Sequence, residues 1–182
     1  AYGATLKGCV FRGNSASNGG GVYSGSATDC TFENNIGGNG GGLYNANTYR
    51  CSFRGNRASN GGGVYLSSYS WGIYNSLFEG NSATSTGGGA WFSDYNRPSS
   101  YNCTFVRNTA ASAGGVYGGY LYNCILWGNT LQTGDVGDYN NVYIRYSCTP
   151  TLVSGDGNIS GDPRFVDAGS GDYRLRTGSP CL

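Results

Sequence analysis

A parallel β-helix, an all-β solenoid of about eight rungs, is the fold this sequence predicts, and three observations predict it. The stretch CVFRGNSASNGGGVY, residues 9–23, returns almost unchanged as CSFRGNRASNGGGVY at 51–65, with a looser copy, CTFENNIGGNGGGLY, at 30–44. Glycine supplies 34 of 182 residues, against a usual share of roughly 7%, and much of it falls in triplets at fixed places in the repeat. Between the triplets lie short alternating stretches, C-x-F and V-Y. A helical repeat needs apolar residues about 3.6 apart, and glycine triplets would break it.

Aligned on Cys-x-Phe, the copies read GCVFRGN, DCTFENN, RCSFRGN, NSLFEGN, NCTFVRN and NCILWGN. Their asparagines, Asn14, Asn35, Asn56, Asn81, Asn108 and Asn129, are spaced 21, 21, 25, 27 and 21. A second motif runs GGGVY, GGGLY, GGGVY, GGGAW, AGGVY and a degenerate NNVY. Its apolar residues are Val22, Leu43, Val64, Ala90, Val116 and Val142. Rungs of 21–27 residues suit three short strands and three bends, stacked at the sheet spacing of about 4.8 Å.

Each column then has a physical task. Alternation with a period of two puts Cys and Phe on one face, so Phe11, Phe32, Phe53, Phe78 and Phe105, followed by Leu126, form an inward stack. Each contributes on the order of 1.5–3 kcal/mol of burial. The asparagines are expected at a bend in the left-handed region, each amide bonding the amide one rung away. The glycine triplets supply positive φ and room for a narrow corner. Outward, Arg12, Glu33, Arg54 and Glu79 alternate in sign, so in-register stacking sets each Arg beside a Glu.

Cys9, Cys30, Cys51, Cys103 and Cys124 hold one repeat position, with Ser76 in the fourth copy. They read as a ladder of free, buried thiols, because parallel side chains one rung apart keep their Cβ atoms farther apart than a relaxed disulfide prefers. Cys148, 24 residues after Cys124, is expected to continue the ladder. Cys181 lies outside it, with Cys148 or a second chain as the partners open to it. No C-x-x-C spacing and no His support a metal site, and no cofactor is expected. A net charge of +1 gives no footprint for nucleic acid, and no apolar run approaches the roughly 20 residues of a membrane span.

The paired signatures, FRGN, FENN, FRGN, FEGN and FVRN with G-G-x-[VLA], resemble the repeats of chlamydial polymorphic outer-membrane proteins and related right-handed β-helix repeats of bacterial surface proteins. The tail GNISGDPRFVDAGSGDYRLRTGSPCL is similar to segments that close such domains. The resemblance implies right-handed winding and a secreted or surface-anchored, non-catalytic module used for adhesion or as a stalk. Residues 1–182 are read as one domain, with regular repeats over 1–143 and irregular C-terminal rungs over 144–182.

Other parallel β-helices cleave polysaccharides, which takes clustered carboxylates or a base beside Arg, Lys or calcium. No two acids share an outward column one rung apart here, so no catalytic residue is expected. Asp135 and Asp138 share the insertion GDVGDY, read as a solvated turn ahead of a calcium site. Two aromatic columns are better candidates for contact: Tyr2, Tyr23, Tyr44, Tyr65, Trp91, Tyr117 and Tyr143, then Tyr49, Tyr74, Tyr101, Tyr122 and Tyr146. Insertions SSYSWG (67–72) and SDYNRPSS (93–100) fall at one corner of successive rungs and carry Tyr69, Trp71, Asp94, Tyr95 and Arg97. With Trp91 these form the expected binding surface.

Tyr2 occupies the slot of a repeat whose glycines are missing, which reads either as a piece of a longer protein or as an open end on which copies stack into a filament. The expected function is therefore extracellular or cell-surface structure or adhesion. Partners are other copies of the chain or a host-surface protein or glycan. A carbohydrate-binding module and a polysaccharide lyase are the alternatives.

Overall fold

The computed structural model describes residues 1–94 and 97–182. The chain winds as a parallel solenoid of about seven turns, each turn passing through three sheets. These hold 11, 8 and 6 strands, stacked rung on rung in parallel register. One turn shows the pattern: Leu43–Tyr49 in the first sheet, Ser52–Arg54 in the second and Arg57–Asn60 in the third. A residue in the left-handed region stands at each of the three bends, here Arg50 (φ 52), Gly55 (φ 61) and Gly61 (φ 62). The equivalent positions elsewhere are mostly Gly, Asn or Asp, the residues that tolerate this geometry.

The expected phenylalanine stack is present. Phe11 pairs with Phe32, Phe32 with Phe53, Phe53 with Phe78, Phe78 with Phe105, and Phe105 with Leu126. Ring centroids are 5.1, 4.7, 4.7 and 4.6 Å apart along the phenylalanines. Val22, Leu43, Val64, Ala90 and Val116 form a second buried column, and Ile73, Leu121 and Ile144 belong to a third. Register survives the longer rungs because nearly all of their extra residues leave the coil at one corner, and one more is taken up as a bulge between Ala83 and Thr86 in the third sheet.

The asparagine ladder is also as expected in its bonds. Asn35 Oδ1 accepts both the backbone N–H and the amide of Asn14 at 3.0 Å. The same pair of bonds recurs up to Asn108, which donates to Asn129 Oδ1 at 3.0 and 2.8 Å. The backbone expectation needs correction. The left-handed residue is the one before each ladder asparagine: Gly13, Asn34, Gly55, Gly80, Arg107 and Gly128. The glycine triplets also divide their labour. Gly40 has φ +64, but Gly41 and Gly42 are needed for space: a Cβ on Gly41 would lie 2.4 Å from Gly62 O, and one on Gly42 2.9 Å from the Phe53 ring.

Register departs from the sequence reading after residue 131. Val116 pairs with Tyr139 and Tyr117 with Asn140, so Tyr139 and Asn140 take the slots expected for Val142 and Tyr143. Tyr143 lies beside Tyr120 instead. The cause is Asp138, whose Oδ1 accepts both donors of Asn129 and completes the ladder early. It is a buried ladder cap, where a solvated turn was expected.

A second slip moves Cys148. Leu121 pairs with Ile144 and Tyr122 with Arg145, so Arg145, not Tyr146, ends the second aromatic column, and Ser147 takes the ladder slot. Ladder residues are recognised by a side-chain bond to the carbonyl two residues back: Cys124 to Tyr122 O at 3.3 Å, Ser76 to Tyr74 O at 2.8 Å and Ser147 to Arg145 O at 2.8 Å. The register expected from YNC and YSC would have sent Arg145 into the core, where an unpaired charge is costly. A one-residue shift turns every side chain over, so Cys148 leaves the ladder and faces outward.

Cys148–Thr149 and Ile159–Ser160 still continue the second sheet. Beyond them, Phe165–Asp167 and Asp172–Leu175 pair antiparallel with each other. This hairpin is not an irregular rung, because a strand running backward cannot extend a parallel coil in the same way. It lies on the outward face of the second sheet, where the Tyr173 hydroxyl donates to Glu79 Oε1 at 2.7 Å.

Candidate functional site

The first sheet turns its outward side chains into two aromatic rows. Tyr2, Tyr23, Tyr44, Tyr65, Trp91 and Tyr117 stack with centroids 5.3, 4.9, 5.1, 4.2 and 6.1 Å apart. Tyr49, Tyr74, Tyr101 and Tyr122 stack at 4.8, 5.5 and 5.1 Å. Planes within each row are tilted by no more than 16°. Such pairs contribute about 0.5–1.5 kcal/mol beyond burial. The arrangement also has a chemical consequence. Ring faces are taken up by the rings above and below, so the rows present edges and hydroxyls outward. Burial, followed by neighbouring phenols, raises the phenol pKa of Tyr65 and Tyr74.

The inserted corner lies between the two rows. Its first loop joins Val64–Leu66 to Gly72–Tyr74, and its second joins Ala90–Phe92 to Ser99–Tyr101; these strands pair rung on rung. Tyr69 is 76% exposed, the most open aromatic of the two loops among the described residues. Trp71 folds back against the core. Trp91 belongs to the first aromatic row. Asp94 accepts from the Asn141 amide at 2.5 Å and, weakly, from the Tyr117 hydroxyl at 3.5 Å. Arg97 lies 4.6 Å over the Tyr143 ring and 6.0 Å from that of Tyr120. Tyr95 lies outside the described residues. The corner therefore offers one open tyrosine above side chains that are already engaged.

Acidic groups elsewhere are held locally. Arg12 pairs with Glu33 at 2.6 Å and Arg54 with Glu79 at 3.1 Å, the alternation read from the sequence. Asp29 pairs with Arg50 at 2.8 Å, and that bond holds its carboxyl below the ordinary value. Asp156 faces Arg145, Asp172 faces Arg174, and Asp135 accepts from Thr133. Asp162 and Asp167 accept backbone N–H groups two or three residues on. With Asp94, Asp138 and Glu79 described above, all ten acids have a structural partner. Asp138 Oδ2 is buried without a hydrogen bond, and burial raises the acid's pKa.

The seven cysteines are free thiols. Burial lifts Cys51 to about 11 and Cys103 well above the ordinary range. Thiols so raised are poor nucleophiles and slow to oxidise. Among the described residues no three potential metal ligands converge.

The tail's face was missed in the sequence reading, although a signal was there. Outward positions after Glu79 change from charged to apolar, Val106 and then Trp127, with Leu77 and Ile125 beside them. Val106 is 2% exposed. It lines a cleft with Trp127, Phe165 and Tyr173, and the Phe165 and Tyr173 rings meet edge to face at 5.2 Å. Burial, then the Glu79 carboxylate, pushes the Tyr173 phenol up to about 12.

Three parallel sheets, one per side of a coil of stacked side-chain ladders, define a parallel β-solenoid. Residues 1–155 match the family described as right handed beta helix region, and the chain belongs to that family. No curated protein and no solved structure matches it.

Proposed function

We propose that this chain is a non-catalytic module of a secreted or surface-displayed protein, a stiff scaffold that presents its inserted corner to a host-surface protein or glycan. The observation that carries the reading is the disposition of the outward side chains. Acids are bonded to local partners and aromatic faces to neighbouring rungs, which favours support over chemistry. The buried ladder thiols Cys51 and Cys103, with their raised pKa values, suit an oxidising exterior, because burial protects them there. Glycan stacking along the rows is disfavoured, since sugars pack on ring faces and these are covered. Contact through Tyr69 is the better prospect, as an exposed aromatic with a polar tip supplies area and direction.

The test is binding of the purified chain to immobilised host-surface glycoproteins, before and after glycan removal. Binding weakened about tenfold or more by Tyr69→Ala, with an unchanged circular dichroism spectrum, supports the proposal. Turnover of an acidic polysaccharide in the presence of calcium would overturn it. Sedimentation velocity across a concentration range reads end-to-end self-association separately.

A further inference from the structure

Cys148 and Cys181 line one cleft, and we propose that this pair is a redox-formed clasp fastening the C-terminal hairpin to the second sheet. Ladder cysteines point the same way, one rung above another, so their Cβ atoms stay about 4.8 Å apart, beyond the spacing a relaxed bridge takes. Cys148 differs in direction. The register shift at Ser147 turns it out of the ladder onto the outward face of the sheet, beside Ile125 and Ile159. The returning tail brings Cys181 to that face from the other side. Both line one cleft with Pro180 and Leu182.

The tail is fixed before any bond forms. Ser179, buried, donates through Oγ to Pro163 O at 2.6 Å and accepts the Cys181 N–H at 3.1 Å. The thiol of Cys148 donates to Gly161 O at 3.4 Å, unlike the ladder thiols, which bond two residues back. A cysteine is also not required by packing at the ladder slot itself, since Ser76 and Ser147 fill it with the same bond.

Closure needs an oxidant, and a thiol–disulfide donor such as oxidised glutathione supplies it. The Cys181 thiolate, less buried than Cys148, attacks one sulfur of the donor and expels a glutathione thiolate. Cys148 then loses its proton and attacks the Cys181 sulfur of the mixed disulfide, expelling the second glutathione thiolate. The two cysteines are oxidised and the donor is reduced, with both protons passing to the expelled thiolates. Burial and the neighbouring thiol push Cys148 up to about 12, which makes it the second nucleophile.

The experiment equilibrates the purified chain in an oxidised/reduced glutathione buffer, quenches with acid and maps tryptic peptides without reduction. The expected product is peptide 146–164 joined to peptide 177–182, in a monomer that has lost two hydrogens, with the five ladder thiols still alkylated after denaturation. Oxidised wild type should exchange the amides of 165–175 about tenfold more slowly than Cys181→Ser, and reduced wild type should match the variant. Cys181 linked to Cys181 of a second molecule, a persistent glutathione adduct on Cys181, or both thiols alkylated with no linked peptide would each overturn the clasp. None of these outcomes bears on the adhesion reading, because the chemistry is read on the isolated chain.

Discussion

The regular coil and the C-terminal hairpin bury apolar surface on opposite sides of the same sheet. Inside, strands such as Thr31–Glu33 and Ser52–Arg54 press Phe32 and Phe53 into a column in which each ring meets its own kind. Outside, the same sheet meets unlike residues, Val106 and Trp127 against Phe165 and Tyr173, in a contact made once. A stacked column tolerates no vacancy, because each member has two identical neighbours. The single contact is a local latch whose loss leaves the rungs intact.

Breaking the coil should have the largest effect. Phe53→Ala opens a cavity between Phe32 and Phe78 and is expected to lower unfolding free energy by about 3–5 kcal/mol, measured as a lower denaturant midpoint. Asp138→Asn should move the other way. It keeps the acceptor for Asn129 while removing a buried carboxylate oxygen that has no partner, a gain of about 1–2 kcal/mol at neutral pH. The wild-type carboxyl pKa is raised from 3.8 in the folded state, so its contribution is complete below that value and is lost as pH rises through the folded pKa. The difference between variant and wild type should therefore shrink as the medium is acidified.

Loosening the latch is the next effect. Tyr173→Phe removes the bond to Glu79, about 1 kcal/mol for a partly exposed hydrogen bond to a charged group. Faster amide exchange is expected at 165–175 alone, with the global melting midpoint nearly unchanged. The smallest effect is a gain within the coil. Ala113 stands at φ 56 where earlier rungs carry glycine, so Ala113→Gly should stabilise by about 0.5–1 kcal/mol in thermal unfolding.

The comparison also marks where sequence was readable. Phe11 to Phe105 and Asn14 to Asn129 were legible because one physical constraint, identical neighbours above and below, repeats in each copy. Cys148 and Tyr146 misled because YSC imitates YNC, and the true register is decided by which choice keeps Arg145 out of the core. Asp138 was hidden because a ladder of asparagines can end on any side chain that offers an acceptor. The hairpin on Val106 and Trp127 depends on a contact between distant parts of the chain, which no local period records. Of the proposed contact surface, the corner location was legible from the insertion lengths. The inward turn of Trp71 and the seating of Arg97 on Tyr143 were not, since loop residues follow no column.

The outward ion pairs set a longer beat than the backbone does. Shape repeats with every rung, whereas the sequence Arg12, Glu33, Arg54, Glu79 closes into doublets, Arg12 with Glu33 and Arg54 with Glu79. Excising residues 30–50 would leave each strand a partner yet seat Arg12 under Arg54, while excising residues 30–75 would seat it under Glu79. Within these four charged rungs the rod can be shortened without electrical mismatch only in even steps, and the near identity of residues 9–23 and 51–65 is what growth by doublets would leave behind.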